Sequence, residues 1–154
     1  LVISSVGYAA RAREESVSEQ ALWSDSFKAV VARGLSYSAS DLEGAQEMRT
    51  TLFRAVQSAF ESVDVIATPT LTAPAYPVEA AGAVGGEIYE AWAASLYPFN
   101  LTGHPALSIP SGRTVTGLPV GIQMVAPWYG EQRLIRLAAI VEKARPWNWD
   151  GIAL

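Results

Sequence analysis

Apolar residues recur every three or four positions from Leu42 to Phe60: Leu42, Ala45, Met48, Leu52, Val56, Ala59 and Phe60. That spacing places them on one stripe of a long α-helix, with Arg49, Arg54, Gln57 and Glu61 on its wet side. Ahead of it, Ser40-Asp41-Leu42-Glu43 has the form of a capping box, in which Ser40 accepts from the Glu43 N–H and the Glu43 carboxylate reaches back. Residues 5–33 also predict helix, in two pieces that meet near Ser16-Val17-Ser18-Glu19. In the second piece Val17, Ala21, Phe27 and Val31 form the apolar stripe. Gly34 is expected to end it, because glycine is favoured just past a helix terminus.

The pattern then changes period. Asp64 to Thr68 is a short apolar run closed by Pro69, which predicts a buried strand. Residues 69–86 carry Pro69, Pro74, Pro77, Gly82, Gly85 and Gly86, a long connection of the kind that compact domains keep for function or mobility. Glu87 to about Leu96 reads as a helix rich in Ala, Trp and Tyr. Ala106–Pro110 and Leu118–Val125 predict two further strands, and the segment between them, Ser111 to Gly117, fits either a hairpin or a break. Gly130 opens a last helix, ending near Pro146, in which Leu134, Leu137, Ala138 and Val141 face inward. The expected fold class is α/β, a mixed sheet of about three strands covered by helices. Residues 1–154 read as a single domain, helical over 1–62, with strands and helices over 63–154. So thin a sheet needs cover on both faces, or strands from elsewhere.

Composition narrows the function classes. Half of the 154 residues are hydrophobic and 17% are charged, which excludes a disordered chain. A net charge of −4 with scattered basic residues argues against nucleic acid as a partner. Without cysteine there is no disulfide, thiol nucleophile or thiolate metal site, which fits a cytoplasmic protein. No apolar stretch approaches the roughly 20 residues that span a bilayer, so no membrane partner is expected. Leu1-Val2-Ile3 lacks the basic and long apolar regions of a signal peptide, and Leu1 is read as an interior point of a longer polypeptide.

Candidate chemistry is sparse. His104, the single histidine, sits between Gly103 and Pro105 and reads first as a turn residue whose ring packs or bonds locally. One histidine and scattered carboxylates give no metal-ligand spacing, and neither metal nor cofactor is expected. Gly85-Gly86 lacks the further glycines or the Gly-Lys-Ser/Thr of a phosphate loop and reads as a hinge. Glu87 and Glu90 lie one turn apart, as an acid and base would, but a solvated helix face explains them equally simply. Tyr89, Trp92 and Leu96 form one helix stripe, and Glu90, Ala93 and Tyr97 the next; core and pocket wall are both open readings. Trp128-Tyr129 follow the third strand, where α/β proteins bind ligands, although packing over the sheet edge would also place them there.

The run Pro98–Gln123, PFNLTGHPALSIPSGRTVTGLPVGIQ, carries a resemblance. With ASDLEGAQEMRTTLF, VDVIATPT and the closing helix after Glu131, in that order, the chain from about Gly34 to Val141 resembles the C-terminal part of the amidase signature family, the serine-nucleophile amide hydrolases. The resemblance implies an amidase fold and a Ser-Ser-Lys mechanism. In it a serine attacks the amide, a second serine relays the proton, a neutral lysine acts as base, and water releases the acid from an acyl-enzyme. The chain has no Gly-Gly-Ser-Ser-Gly-Gly type loop, and its two lysines, Lys28 and Lys143, fall on predicted amphipathic helices. No catalytic residue is therefore assigned here, and the chain alone is expected to be inactive.

By position, the resemblance implies a substrate-binding role for Glu90, Ala93 and Tyr97, with Asn100 and Thr102 shaping the adjacent turn and Trp128 and Tyr129 beside them. The implied partner is a small-molecule amide, its acyl group apolar or aryl. The exposed sheet face implies self-association. In the glutamine-using amidotransferases of this family the loop after the third strand typically reads Phe-Asp-Glu; here it is Tyr129-Gly130-Glu131. That departure favours a general amidase over the alternatives, the amidase-type component of a tRNA-dependent amidotransferase or a non-catalytic interaction module on the same scaffold.

Overall fold

A computed structural model of the chain describes residues 2–77, 83–84, 87–88 and 93–147. It contains two compact units, Leu1–Thr51 and Leu52–Leu154.

The first unit is helical. It holds α1 (Val2–Ala12), α2 (Val17–Gln20), α3 (Asp25–Ser36) and the start of α4 (Ala39–Ala59). The expected two pieces over residues 5–33 are thus three helices. Two serines explain the breaks, because each satisfies the orphan amides of a new helix. Ser16 and Glu19 form a reciprocal capping box on α2, and the Phe27 N–H donates to Ser24 Oγ at 3.3 Å to cap α3. Ala9, Ala12 and Val31 are buried, with Trp23 and Phe27 packed against them. Phe27 receives Tyr8 and Trp23 edge-on at centroid distances of 5.6 and 5.1 Å, a preferred aromatic arrangement. Val17, placed on the apolar stripe from its spacing, is 85% exposed, because α2 is too short to continue the stripe of α3.

Gly34 does not end the helix. It lies inside α3 where α1 crosses, and a Cβ there would stand 2.0 Å from the Ser5 carbonyl oxygen. The glycine is a contact point between backbones, not a terminus. The box expected at Ser40 and Glu43 lies two residues earlier. The Asp41 N–H donates to Ser38 Oγ at 3.1 Å, and the Ser38 N–H donates to Asp41 Oδ2 at 2.8 Å. Aspartate stands in for the usual glutamate and does the same work.

The second unit is built on a sheet of β1 (Ile66–Pro69), β4 (Ala106–Arg113) and β5 (Pro119–Val125), in the order β1-β5-β4. Both pairings are antiparallel, with Gln123 opposite Thr68 on one side and Ser108 on the other. β4 and β5 form a hairpin, the first of the two readings open from sequence. Its turn is closed by Thr114 N–H to Leu118 O (2.8 Å) and Gly117 N–H to Thr114 O (3.0 Å). Gly117 has φ +86° there, which favours glycine. A bulge between Pro110 and Gly112 accommodates the proline on an edge strand, where its missing N–H is tolerated.

One sheet face is apolar. Ile109 and Met124 are buried with Ala126 and Leu134, and Leu107, Ile122, Leu137, Ala138, Val141 and Trp147 pack around them. This is the inward stripe expected of the last helix, α6 (Glu131–Ala144).

The helix expected over 87–96 is not formed at its start. Glu87–Ile88 is a short strand, β3, paired antiparallel with β2, Ala83–Val84. Residues 93–96 are a turn leading into α5 (Tyr97–Thr102). Pro98 explains this start: proline lacks a donor and suits the first turn of a helix. Among the described residues no helix is long and apolar enough to cross a membrane.

Candidate functional site

The second sheet face is polar at its centre. The period of two puts Thr68, Gln123 and Ser108 in one row across β1, β5 and β4. Gln123 is 3% exposed, and its amide nitrogen donates to Thr68 Oγ1 at 3.0 Å and to the Ser95 carbonyl at 2.9 Å. The second bond ties the turn preceding α5 onto the sheet. Above Gly121 the row closes differently. Thr70 and Ser108 belong to opposite sides of β5, yet their hydroxyls meet at 3.0 Å. They meet because Gly121 has no side chain between them; a Cβ there would lie 2.7 Å from Thr70 Oγ1.

Beside this face lies an aromatic cluster around His104, which is 5% exposed. Its Nδ1 lies 2.8 Å from Thr102 Oγ1 and its Nε2 lies 3.2 Å from Gln57 Oε1. With Gln57 assigned this way round, a neutral ring donates from Nε2 and accepts the Thr102 hydroxyl at Nδ1. Phe53 stacks on the imidazole at 5.3 Å and Phe60 lies at 5.5 Å. Gln57, expected on the wet side of the long helix, is thus a partner of the histidine. Burial pushes the His104 pKa below its ordinary 6.5.

That direction has a measurable consequence. The unfolded chain takes up a proton near pH 6.5 that the folded chain resists, so stability is full above that pH and falls as pH drops toward the folded value. A denaturant midpoint followed from pH 7 to 5.5 should fall with a slope of at most about 1.4 kcal/mol per pH unit. In His104→Phe that slope should vanish. Glu19 and Asp41, whose carboxyls are held below the usual range by hydrogen bonds from Ser16 and Ser38, act only at lower pH. A slope that survives in the variant would exclude His104 as its source.

The residues singled out from sequence fall as follows. Glu90 lies outside the described residues, as do Tyr89 and Trp92. Ala93 is buried, and its carbonyl accepts from the N–H of Leu96 (2.9 Å) and Tyr97 (3.3 Å). Tyr97 and Asn100 are exposed on α5. Trp128 is 48% exposed and Tyr129 89%. Thr102 joins α5 to the loop after β5, because the Trp128 indole N–H donates to the Thr102 carbonyl at 3.1 Å. Phe53 meets Trp128 edge-on at 4.9 Å. Tyr129 has φ +65°, an uncommon backbone for a bulky residue. Gly130 follows under constraint: a Cβ would stand 2.7 Å from the Pro127 carbonyl oxygen and 2.9 Å from Ala126 Cβ. An aspartate cannot take this position without moving the loop.

Sequence reasoning missed Thr68, Thr70, Ser108 and Gln123 as a set. The available signal was polar residues at alternate positions within otherwise apolar strands. Hydroxyls and an amide of this kind hold and orient a polar group, but none of the described residues bonded to them is a base that would activate a nucleophile. Among the described residues no cluster of His, Cys, Asp or Glu fits a metal ion. A depression lined by Leu71, Ala73, Pro74, Ala75 and Tyr76 lies within one loop and brings no such groups together.

The family model for amidases matches residues 9–135. The amidase-type component of the glutamyl-tRNA(Gln) amidotransferase of Salinispora arenicola (strain CNS-205) is 41% identical over 102 residues, covering 65% of this chain and 20% of that protein. A bacterial aryl acylamidase belonging to the amidase signature enzymes superposes with a TM-score of 0.75 at 24% identity, over 95% of this chain and 32% of that one. The corresponding component of the glutamyl-tRNA(Gln) amidotransferase of Thermotoga maritima superposes with a TM-score of 0.64 at 23% identity, over 97% and 35%. The two structural likenesses establish the fold. The chain spans about a fifth of the length of the curated relatives it matches. With its family model matched over most of its length, the chain belongs to the amidase family.

Proposed function

We propose that this chain supplies the substrate-pocket and core-completing part of an amide-bond hydrolase whose serine nucleophile and lysine base lie in another segment of the polypeptide. The observation that carries this reading is the two-sided sheet. One face is sealed by α6, and the other presents the Thr68–Gln123–Ser108 row with the turn before α5 bonded onto it. A lysine base must be kept partly neutral by burial, whereas Lys28 and Lys143 are both exposed and Lys28 lies 3.7 Å from Asp25. Over its 21 residues α4 has none fully buried, and Met48 on its apolar stripe is 75% exposed, as befits a helix that awaits further cover. In the chain by itself, that surface would drive self-association.

Ala93, Tyr97, Asn100, Trp128 and Tyr129, with Glu90, form the proposed substrate wall. The two exposed aromatic rings after β5, with centroids 6.4 Å apart, suit an apolar or aryl acyl group. The amidotransferase reading is supported by the identity to the Salinispora arenicola protein, and Gly130 opposes it, since the loop leaves no room there for an aspartate.

The complete reading frame, expressed and assayed against anilides, aliphatic amides and glutamine, should hydrolyse anilides or aliphatic amides, while the 154-residue chain alone should not. Ammonia release from glutamine alone would favour the amidotransferase reading. Activity of the isolated chain would overturn the assignment of catalysis to another segment.

A further inference from the structure

His104 and Trp128 share two partners, and that sharing has a consequence. Thr102 bonds the imidazole through its hydroxyl and the Trp128 indole through its carbonyl. Phe53 stacks on the imidazole and meets the indole edge-on. The rings of His104 and Trp128 are themselves 6.3 Å apart. We propose that His104 is a positioning residue that fixes the Trp128 indole by holding Thr102 on one side and Phe53 on the other.

The direction of control follows from burial. His104 is 5% exposed and bonded at both ring nitrogens, whereas the indole is 48% exposed and has one hydrogen bond, to Thr102. The buried, doubly bonded ring is the fixed point, and the half-exposed ring takes its place from it. The groups facing the imidazole are Phe53, Gln57 and Phe60 from α4, Thr102 from α5 and Trp128 from the loop after β5. None of these ionises, and Arg54 and Glu61, which flank them on α4, are exposed. Geometry rather than charge therefore transmits the constraint. Gly103 completes it: φ +70° turns the chain back at the end of α5, and a Cβ there would lie 3.8 Å from the indole nitrogen.

The consequence for substrate rests on the pocket reading above, but the positioning itself does not, and the test separates them. The indole N–H resonance of Trp128 in the full chain, assigned by Trp128→Phe, reports its bond to Thr102. In His104→Phe, which keeps a ring in the stack, that resonance should shift and its solvent exchange should quicken about five- to tenfold, the loss expected for one buried hydrogen bond. His104→Gln, which restores an amide facing Thr102, should recover part of the protection. Gln57→Leu, at an exposed helix position that leaves the fold intact, should shift the resonance in the same direction by less. A folded His104→Phe whose Trp128 resonance and exchange are unchanged would overturn the proposal, as would an unmoved resonance in Gln57→Leu. In the complete enzyme, His104→Phe should raise KM for anilides more than it lowers kcat. An unchanged KM alongside a displaced indole would sink the pocket reading and leave the positioning standing.

Discussion

Gly34→Ala is expected to force α1 off α3 and to destabilise the helical unit by about 3 kcal/mol, the upper end of overpacking costs. A substitution of glycine by alanine within a helix ordinarily gains close to 1 kcal/mol from backbone entropy, so the expected sign here is the reverse of the generic one. The reversal comes from distance. The new Cβ would stand 2.0 Å from the Ser5 carbonyl oxygen, 2.5 Å from the Ser5 carbonyl carbon and 2.8 Å from Ala9 Cβ. Two of those three atoms are backbone, so no rotamer change relieves the contact and α1 as a whole must move. Ser5 and Ala9 are both 3% exposed, which leaves no slack on that side. Amide hydrogen exchange across α1 and α3 is the direct measurement. Protection in Val2–Ala12 should collapse in the variant while the sheet of the second unit keeps its own. Gly44, with open space around its would-be Cβ, is the internal control, and Gly44→Ala should be neutral or stabilising. Equal behaviour of the two variants would mean that α1 and α3 do not cross at Gly34.

The second large effect belongs to Gln123. Gln123→Leu preserves approximate volume on the central strand but removes the donor shared by Thr68 Oγ1 and the Ser95 carbonyl. A buried acceptor left without its partner costs about 1–3 kcal/mol, and two are affected here. The expected loss is about 2–4 kcal/mol on unfolding of the second unit, read from the denaturant midpoint at constant slope. The same physics supplies a diagnostic. Replacing both partners by apolar groups costs less than replacing one, so Thr68→Val combined with Gln123→Leu should recover part of the loss. Freed from the sheet, the turn at residues 93–96 should exchange faster, and with it the start of α5, where Ala93 and Tyr97 stand. A Gln123→Leu variant as stable as the native chain would show that the amide is solvated and that the polar row does not hold the turn.

Several elements are written plainly in the sequence because they depend on local period alone. The long helix after residue 38 and the last helix after Gly130 follow from three- and four-residue spacing. The three strands follow from short apolar runs between turn residues. Local chemistry was read less well where two solutions share one pattern. Ser38 with Asp41 and Ser40 with Glu43 are both capping boxes on paper, and the first closes because the helix begins one residue after Ser38. The region from Glu87 carries helix-forming residues, yet its start pairs as a strand with Ala83–Val84. Propensity yields there to a partner that periodicity does not register.

By itself, the sequence determined the family, the alternation of helix and strand, and the run from Pro98 to Gln123 that frames the candidate site. Order along a chain and spacing within an element are one-dimensional properties, and residues record them directly. Only the tertiary structure decided what meets across the chain. Gln57 reaches His104 over 47 positions, Gln123 reaches Thr68 over 55, and Thr70 meets Ser108 across a glycine that neither sits beside in sequence. Gly34 looked like a stop and proved to be a point of contact, because a missing side chain has the same letter whether it frees the backbone or lets another backbone approach.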